Sequence, residues 1–128
     1  MSPKLLLFVP AAVFDARHVE MNRVQALLKG RLDGRLPGVT ITSAVVWDHV
    51  AAELLGPMRE ACAGFDVCVE SVPPRYGARW GIRKPTNLAI EELTAGHTHL
   101  LRIIQDTFVT EPDRFARDVA AALECLGS

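Results

Sequence analysis

The run KLLLFV at residues 4–9, which is followed by Pro10, decides the fold class of this chain. Its apolar residues are continuous rather than alternating, which is typical of a strand that is buried on both faces of a sheet. Strands of this kind occur in parallel sheets whose two faces are covered by helices. The run therefore predicts the first strand of an α/β domain, with Pro10 ending the strand.

Apolar residues at helical spacing follow this strand and predict the first helix. The helix is expected over residues 18–32, with Gly30 and Gly34 marking its end. The residues expected to face the sheet are Val19, Val24, Leu27 and Leu28.

The segment VTITSAVVW at residues 39–47 is rich in β-branched residues and predicts the second strand, ending at Asp48. Asp48 also stands where an N-cap of the next helix is expected. That helix is predicted to be short or kinked, because Gly56 and Pro57 interrupt its apolar face. The residues of that face are Val50, Leu54, Leu55 and Met58.

The third strand is predicted at residues 65–72 (FDVCVESV), which alternate between apolar and polar types. An irregular loop, RYGARWGIRK at residues 75–84, follows two prolines. We expect Thr86 or Asn87 to cap a third helix that stops at Gly96.

The fourth strand is predicted at residues 99–104, and the last helix begins at residues 111–113 and ends at Gly127. Strands and helices thus alternate along the whole chain. This order predicts a four-stranded, mainly parallel sheet in a three-layer α/β sandwich, with the third and fourth strands at its edges.

Ligands of parallel sheets bind outside the carboxyl ends of the strands, where the strand order reverses. In this chain that rule indicates residues 10–15, Asp48, the loop after Pro74, and residues 105–107.

The loop at residues 75–84 carries cations that can donate charge-assisted hydrogen bonds to a diphosphate. These are Arg75, Arg79, Arg83 and Lys84. Tyr76 or Trp80 could stack on a base or a sugar, and the loop glycines would let backbone amides approach an anion. The alternative is a solvated loop whose arginines pair with surface acids such as Glu91 or Glu92.

Composition indicates one globular domain over residues 1–128, with 49% hydrophobic and 23% charged residues. The formal net charge is -1, so no global field attracts nucleic acid or an anionic membrane. The three cysteines form no CxxC pair, which argues against a disulfide framework or a structural zinc site. The apolar N-terminal stretch is too short for a membrane span, and we expect a cytoplasmic protein.

Several common site chemistries lack their motifs in this chain. There is no GxGxxG after the first strand, no GxxxxGK[ST] and no GxSxG elbow. His97 and His99 stand two residues apart but have no further ligand triplet near them in the sequence.

In the central part of the chain, Gly81 is followed six residues later by Asn87, and residues 112–113 are Pro-Asp. Residues 75–115 thereby resemble the centre of the family-2-like glycosyltransferases of the GT-A fold. In that family a loop glycine, an asparagine opening a helix, a strand, an acidic DxD motif and a Pro-Asp pair follow one another. The first strand, which runs into Pro10, is similar to the opening strand of the family. The resemblance implies the Rossmann-like, nucleotide-binding half of a GT-A domain.

The positions of the family's DxD motif fall on Gln105, Asp106 and Thr107, so the central carboxylate alone is kept. The family's arginine before the asparagine is Thr86 here. The resemblance implies Mn or Mg as cofactor, but these cations prefer several hard oxygen ligands. One carboxylate supplies too few ligands for a Mn or Mg site of this kind.

The resemblance implies binding of a nucleotide-diphosphate sugar and, with an acceptor side supplied by a partner or a second subunit, transfer of the sugar. The expected nucleotide and diphosphate residues are Pro10, Ala11, Asp48, Arg79, Gly81, Arg83, Lys84 and Asn87, and Asp106 is expected near the sugar or metal. The alternatives are a non-catalytic nucleotide-binding or interaction module, which the missing carboxylates favour, and a flavodoxin-like or regulator-like domain.

Overall fold

A computed structural model of the chain describes residues 2–70 and 83–127. Its described strands form one four-stranded sheet in which every neighbouring pair is parallel, in the order β3-β2-β1-β4. They are β1 (Lys4–Val13), β2 (Thr40–Val50), β3 (Val67–Glu70) and β4 (His99–Arg102). The predicted parallel α/β class is confirmed, as is the position of the third and fourth strands at the edges.

The helices lie on both faces of this sheet and make a Rossmann-like three-layer sandwich. They are α1 (Ala16–Gln25), α2 (Leu28–Leu32), α3 (Leu55–Ala61), α4 (Arg83–Leu93) and α5 (Pro112–Leu126), with short 3-10 turns at Ala52–Leu54 and Cys62–Gly64. Residues of α1, α2, α3 and α5 share one core cluster, whereas α4 packs on the other face. The chain moves across the sheet from β1 to β2 and β3, and it then crosses back past β1 to β4. Right-handed crossovers in opposite directions place their helices on opposite faces of the sheet. The helix α4, which joins β3 to β4, therefore lies on the face opposite to α1 and α3.

The central strand β1 is buried from Leu5 to Val13 because helices cover both of its faces. Leu5 and Leu7 belong to the cluster under α1 and α5, and Leu6 and Phe8 belong to the cluster under α4. Side chains alternate between the two faces of a strand. The continuous apolar run of the sequence is the direct consequence.

The prediction that Pro10 ends the first strand is wrong, because β1 continues to Val13. Phe8 accepts a hydrogen bond from the backbone nitrogen of Ile103 at 2.8 Å, so the even-numbered residues of β1 turn their backbone polar groups toward β4. Pro10 follows two residues later, after β4 has ended at Arg102. The missing N–H of a proline therefore falls where β4 offers no ladder partner.

The predicted single helix over residues 18–32 is wrong in two respects. The structure has two helices, α1 and α2, that are separated after Gln25. Val24 and Leu27, expected to face the sheet, are 45% and 62% exposed. The buried face of α1 instead carries Val19 together with two amides, which are described below.

The second strand extends past its predicted end at Asp48 to Val50, which lies opposite Val13 beyond an irregularity in the β1–β2 register. Asp48 is therefore a strand residue and not a helix N-cap. The cap position of the following 3-10 turn is Ala51, whose nitrogen donates to the carbonyl of Val13 at 3.1 Å. The turn leads into the short α3, in agreement with the predicted short or kinked helix.

The third predicted helix begins at Arg83, so Thr86 and Asn87 lie inside α4 and neither caps it. Residues 83 and 84 are helical rather than part of the loop. Pro85 lies in the first turn of the helix, where a missing N–H breaks no hydrogen bond.

The remaining boundaries differ by a few residues. The strand predicted at residues 65–72 has its described part at Val67–Glu70, and the strand predicted to reach residue 104 ends at Arg102. The last helix is confirmed from Pro112 to Leu126, followed by Gly127 at a φ of 71°.

Candidate functional site

The strand order reverses between β1 and β4. From β1 the chain moves to β2 and β3 on one side, whereas β4 lies on the other side of β1. In parallel sheets ligands bind in the crevice outside the carboxyl ends of the strands at such a reversal. The candidate site is this crevice, outside the carboxyl ends of β1 and β4.

On the β1 side of the crevice, Asp15 is the N-cap of α1. Its Oδ1 accepts hydrogen bonds from the backbone nitrogens of Arg17 at 2.9 Å and His18 at 3.3 Å. The side chain of Arg17 bonds to the same carboxylate, and this bond together with the two backbone bonds holds the pKa of Asp15 below its ordinary value. Phe14, which precedes the cap, is 49% exposed.

On the β4 side, the chain turns at residues 104–107, where the nitrogen of Thr107 donates to the carbonyl of Ile104 at 3.0 Å. Asp106 is exposed on this turn. Its carboxylate makes no hydrogen bond or ion pair with any residue that the structure describes. The turn therefore presents an exposed carboxylate at the crevice.

Three buried amide side chains hold this turn against α1 and β1. Gln25 Nε2 donates to the carbonyls of Ile104, Gln105 and Thr107 at 3.2, 3.2 and 2.7 Å. Gln105 Nε2 donates to the carbonyl of Ala12 at 3.0 Å. We call Asn22, Gln25 and Gln105 the amide cluster.

Asn22 completes the amide cluster from one turn further back along α1. Its Nδ2 donates to Gln105 Oε1 at 3.0 Å and to the carbonyl of His18 at 2.8 Å. Its Oδ1 is buried and has no hydrogen-bond partner among the described residues. The helical spacing of three places Asn22 and Gln25 on the same face of α1.

The other expected site residues are spread over several environments. Pro10 and Ala11 are fully buried in β1, so their side chains present no accessible surface. Asn87 is exposed on α4. Arg79 and Gly81 lie outside the described residues.

The backbone of Asp48 lies in β2, and the backbones of Arg83 and Lys84 form the first turn of α4. The helix ends at Leu93, six residues before β4 enters the sheet at His99. The start of α4 is therefore about 16 Å away, at 1.5 Å per residue, at the opposite end of the strands. This is the end at which the carboxyl ends of the strands lie.

A groove of about 390 Å³ adjoins the turn, between the end of β4 and the start of α5. Its lining includes Thr107, Phe108, Arg114 and Phe115. Phe108 is 40% exposed. The groove offers apolar and aromatic surface that includes Thr107, the residue after Asp106.

In the described part of the chain, no group of three or more His, Cys, Asp or Glu side chains is arranged to hold a metal ion. Gln105 directs its amide into the fold, so Asp106 and Thr107 are the groups of this turn that remain for a ligand. The ring of His97 contacts the carbonyl of Leu93 at 2.8 Å and that of His99 contacts Thr98 Oγ1 at 2.7 Å.

The sequence interpretation missed the amide cluster. The cluster contains both glutamines of the chain and one of its two asparagines. Asn22 and Gln25 are not among the apolar residues whose spacing predicted the first helix, so that pattern carried no signal for them.

Comparisons of the chain with family models, with curated proteins and with solved structures find no match. Within residues 2–70 and 83–127, no helix combines the length and apolar character that crossing a membrane requires.

Proposed function

We propose that this domain binds a nucleoside-diphosphate sugar in the crevice between the carboxyl ends of β1 and β4, as a glycosyltransferase-like domain. The observation that carries the proposal is the exposed carboxylate of Asp106 on a turn that three buried amides hold in place. A carboxylate at this position can accept hydrogen bonds from the hydroxyl groups of a sugar or ribose.

The basic segment at residues 75–84 supports the proposal through its position in the chain. The described elements on either side of it are β3, which ends at Glu70 at the carboxyl end of the sheet, and α4, which begins at Arg83 at the same end. Arg79 and Arg83, which belong to this segment, are the donors that we assign to the diphosphate, because guanidinium groups bind such oxygens in a bidentate manner.

The turn at residues 105–107 does not fit a Mn or Mg site by itself. It offers one carboxylate and one hydroxyl, whereas these cations prefer several oxygen ligands. We therefore expect the diphosphate to be neutralised by the arginines, and we assign no step to a metal. In a transferase the acceptor side would come from a partner or from a second copy of the chain.

A second candidate is a non-catalytic nucleotide-binding or interaction module. The observation that favours it is the position of Gln105, which stands where the resemblance expects an outer carboxylate. Its side chain bonds to Ala12 and Asn22 inside the fold. An acid at this buried position would lose the donor that bonds to Ala12.

The proposal is tested by thermal unfolding with nucleoside diphosphates and nucleotide sugars, each with and without Mn. A ligand at about a hundred times its dissociation constant adds roughly 2.7 kcal/mol of stability, which raises the melting temperature by several degrees. We expect a metal-independent shift that is reduced by Asp106→Ala and by Arg79→Ala. Asp33→Ala and Arg117→Ala, at exposed positions that do not line the groove beside the turn, are the matched controls.

The absence of a shift with every nucleotide would overturn the proposal. A shift that requires Mn would contradict the assignment of the diphosphate to arginines alone. Release of the nucleoside diphosphate from a nucleotide sugar, followed by phosphorus NMR with candidate acceptors, separates a transferase from a binding module.

A further inference from the structure

We infer that Gln25 is a positioning residue that holds the turn carrying Asp106 in the geometry in which it binds its ligand. The ligand part of this inference rests on the proposed function. The geometric part rests on the contacts of Gln25 alone.

Gln25 is 3% exposed and contacts three carbonyl groups of one turn through a single nitrogen. An amide nitrogen has two N–H groups, so at least one of them is shared between two carbonyls. Three contacts from one atom restrict the turn more than a single hydrogen bond does, because Ile104, Gln105 and Thr107 are tied to the same point on α1.

The need for these donors follows from the end of β4. That strand stops at Arg102, and the nitrogen of Ile103 makes the last backbone–backbone hydrogen bond from this segment to β1 that the structure describes. The carbonyls of residues 104, 105 and 107 lie beyond the ladder. A buried carbonyl without a partner destabilises the folded state. The side chain of Gln25 supplies the donor that a longer strand would have supplied.

The amide cluster also contains an unfavourable feature. Asn22 Oδ1 is buried without a partner among the described residues, and an unpaired buried acceptor destabilises the folded state. The same side chain donates from its Nδ2 to Gln105 Oε1 and so orients the Gln105 amide, whose nitrogen bonds to Ala12. Asn22 thus supports the turn through Gln105, whereas Gln25 contacts its carbonyls directly.

Gln25→Met tests the inference, since methionine has a similar length and shape but no donor. We expect the amide hydrogen of Thr107 to exchange about tenfold faster relative to a core amide such as that of Leu7. The turn loses the donor that ties its carbonyls to α1, so the bond from the Thr107 nitrogen to the carbonyl of Ile104 opens more often. The matched control is Val19→Ala, which removes buried contacts from the same helix without removing a hydrogen bond to the turn. Equal relative exchange in the two variants would overturn the inference.

The affinity for a nucleoside diphosphate sugar provides the second readout. We expect Gln25→Met to bind about tenfold more weakly than Val19→Ala at a temperature where both are fully folded. Unchanged affinity with a loosened turn would overturn the ligand part of the inference. If the unmodified chain binds no nucleotide while the turn still loosens, the proposed function fails and the geometric part stands.

A third measurement requires no variant. The side-chain amide hydrogens of Gln25 and Gln105 should exchange slowly with solvent, whereas those of Asn87, exposed on α4, should exchange at the rate of a free amide. Equally fast exchange at all three side chains would overturn the inference even if Gln25→Met failed to fold.

Discussion

Asp66 and Ser43 form a reciprocal pair of hydrogen bonds where β3 joins the sheet. The Oδ2 of Asp66 accepts from the backbone nitrogen of Ser43 at 2.9 Å, and Ser43 Oγ accepts from the nitrogen of Asp66 at 3.0 Å. Lys29 lies 2.7 Å from the same carboxylate oxygen. Burial opposes ionisation of Asp66, but the bonds from Lys29 and Ser43 outweigh it and lower its pKa.

Asp66→Ala should reduce the free energy of unfolding by about 1 kcal/mol at pH 7, because it removes the acceptor for Ser43; the exposed pair with Lys29 contributes little. The folded-state pKa is lowered, so the contribution is fully present above the unfolded-state value. It is lost as the pH falls through the folded-state pKa. Urea unfolding measures the free energy of unfolding of the variant and of the unmodified chain at pH 7 and at pH 3. The difference between the two proteins should be larger at pH 7 than at pH 3.

The control for this change is Asp33→Ala, at an exposed aspartate. We expect its effect to stay within about 0.5 kcal/mol at both pH values. A loss at Asp66→Ala that is equally large at pH 3 would contradict the assigned role of the carboxylate.

Among the elements, α4 covers the second face of the sheet. Its Leu88 and Ala89, both 1% exposed, pack against Leu6 and Phe8 of β1. No other described helix contributes buried residues to this cluster. The cohesion of that layer therefore depends on one helix of 11 residues.

Leu88→Ala should reduce the free energy of unfolding by about 3 kcal/mol, because it leaves a cavity between α4 and the sheet. The matched change on the same helix is Ile90→Ala, at a side chain that is 45% exposed. Its effect should stay below about 1 kcal/mol. Urea unfolding of both variants measures the difference, and equal losses would mean that α4 does not bury Leu88 as described.

The two halves of the predicted first helix show why element boundaries were harder to predict than element types. Val24 and Leu27 have the spacing of an apolar face, but their side chains lie exposed on the surface of the protein. The face of α1 that is buried meets the backbone of the turn after β4, which needs hydrogen-bond donors. The spacing of apolar residues carries no information about a polar neighbour that is 80 residues away in the chain.

For the molecule as a whole, the burial of the three cysteines reports on the packing of the core. Cys62 is fully buried, whereas Cys68 and Cys125 are exposed, and all three are free thiols. Burial, followed by the proximity of Cys68, raises the pKa of Cys62 to about 12. Burial also raises the pKa of Cys68.

At pH 8 a disulfide reagent should therefore label Cys125 first and Cys68 more slowly, since the thiolate is the reactive form. Cys62 should react only when the domain opens. Mass spectrometry of peptides at increasing times gives the three rates, and labelling in urea is the control, in which all three should react alike. Labelling of Cys62 as fast as Cys125 in the native protein would contradict the described core.

The sequence by itself determined the parallel α/β class, the order of the elements and the positions of the edge strands. The class and the order follow from periodicity within each segment. The edge positions follow from the preference of consecutive strands for neighbouring places in the sheet. Within the candidate site, the sequence also indicated the turn that carries Asp106, because it follows an apolar strand.

The tertiary structure alone decided where β1 and β2 end, that Asp48 is a strand residue, and that three amides hold the turn at the crevice. Each of these depends on which backbone groups find a partner on a distant segment. Pro10 is accommodated in the central strand because β4 ends before it reaches that point. Gln25 is buried because the carbonyls that follow the end of β4 need a hydrogen-bond donor.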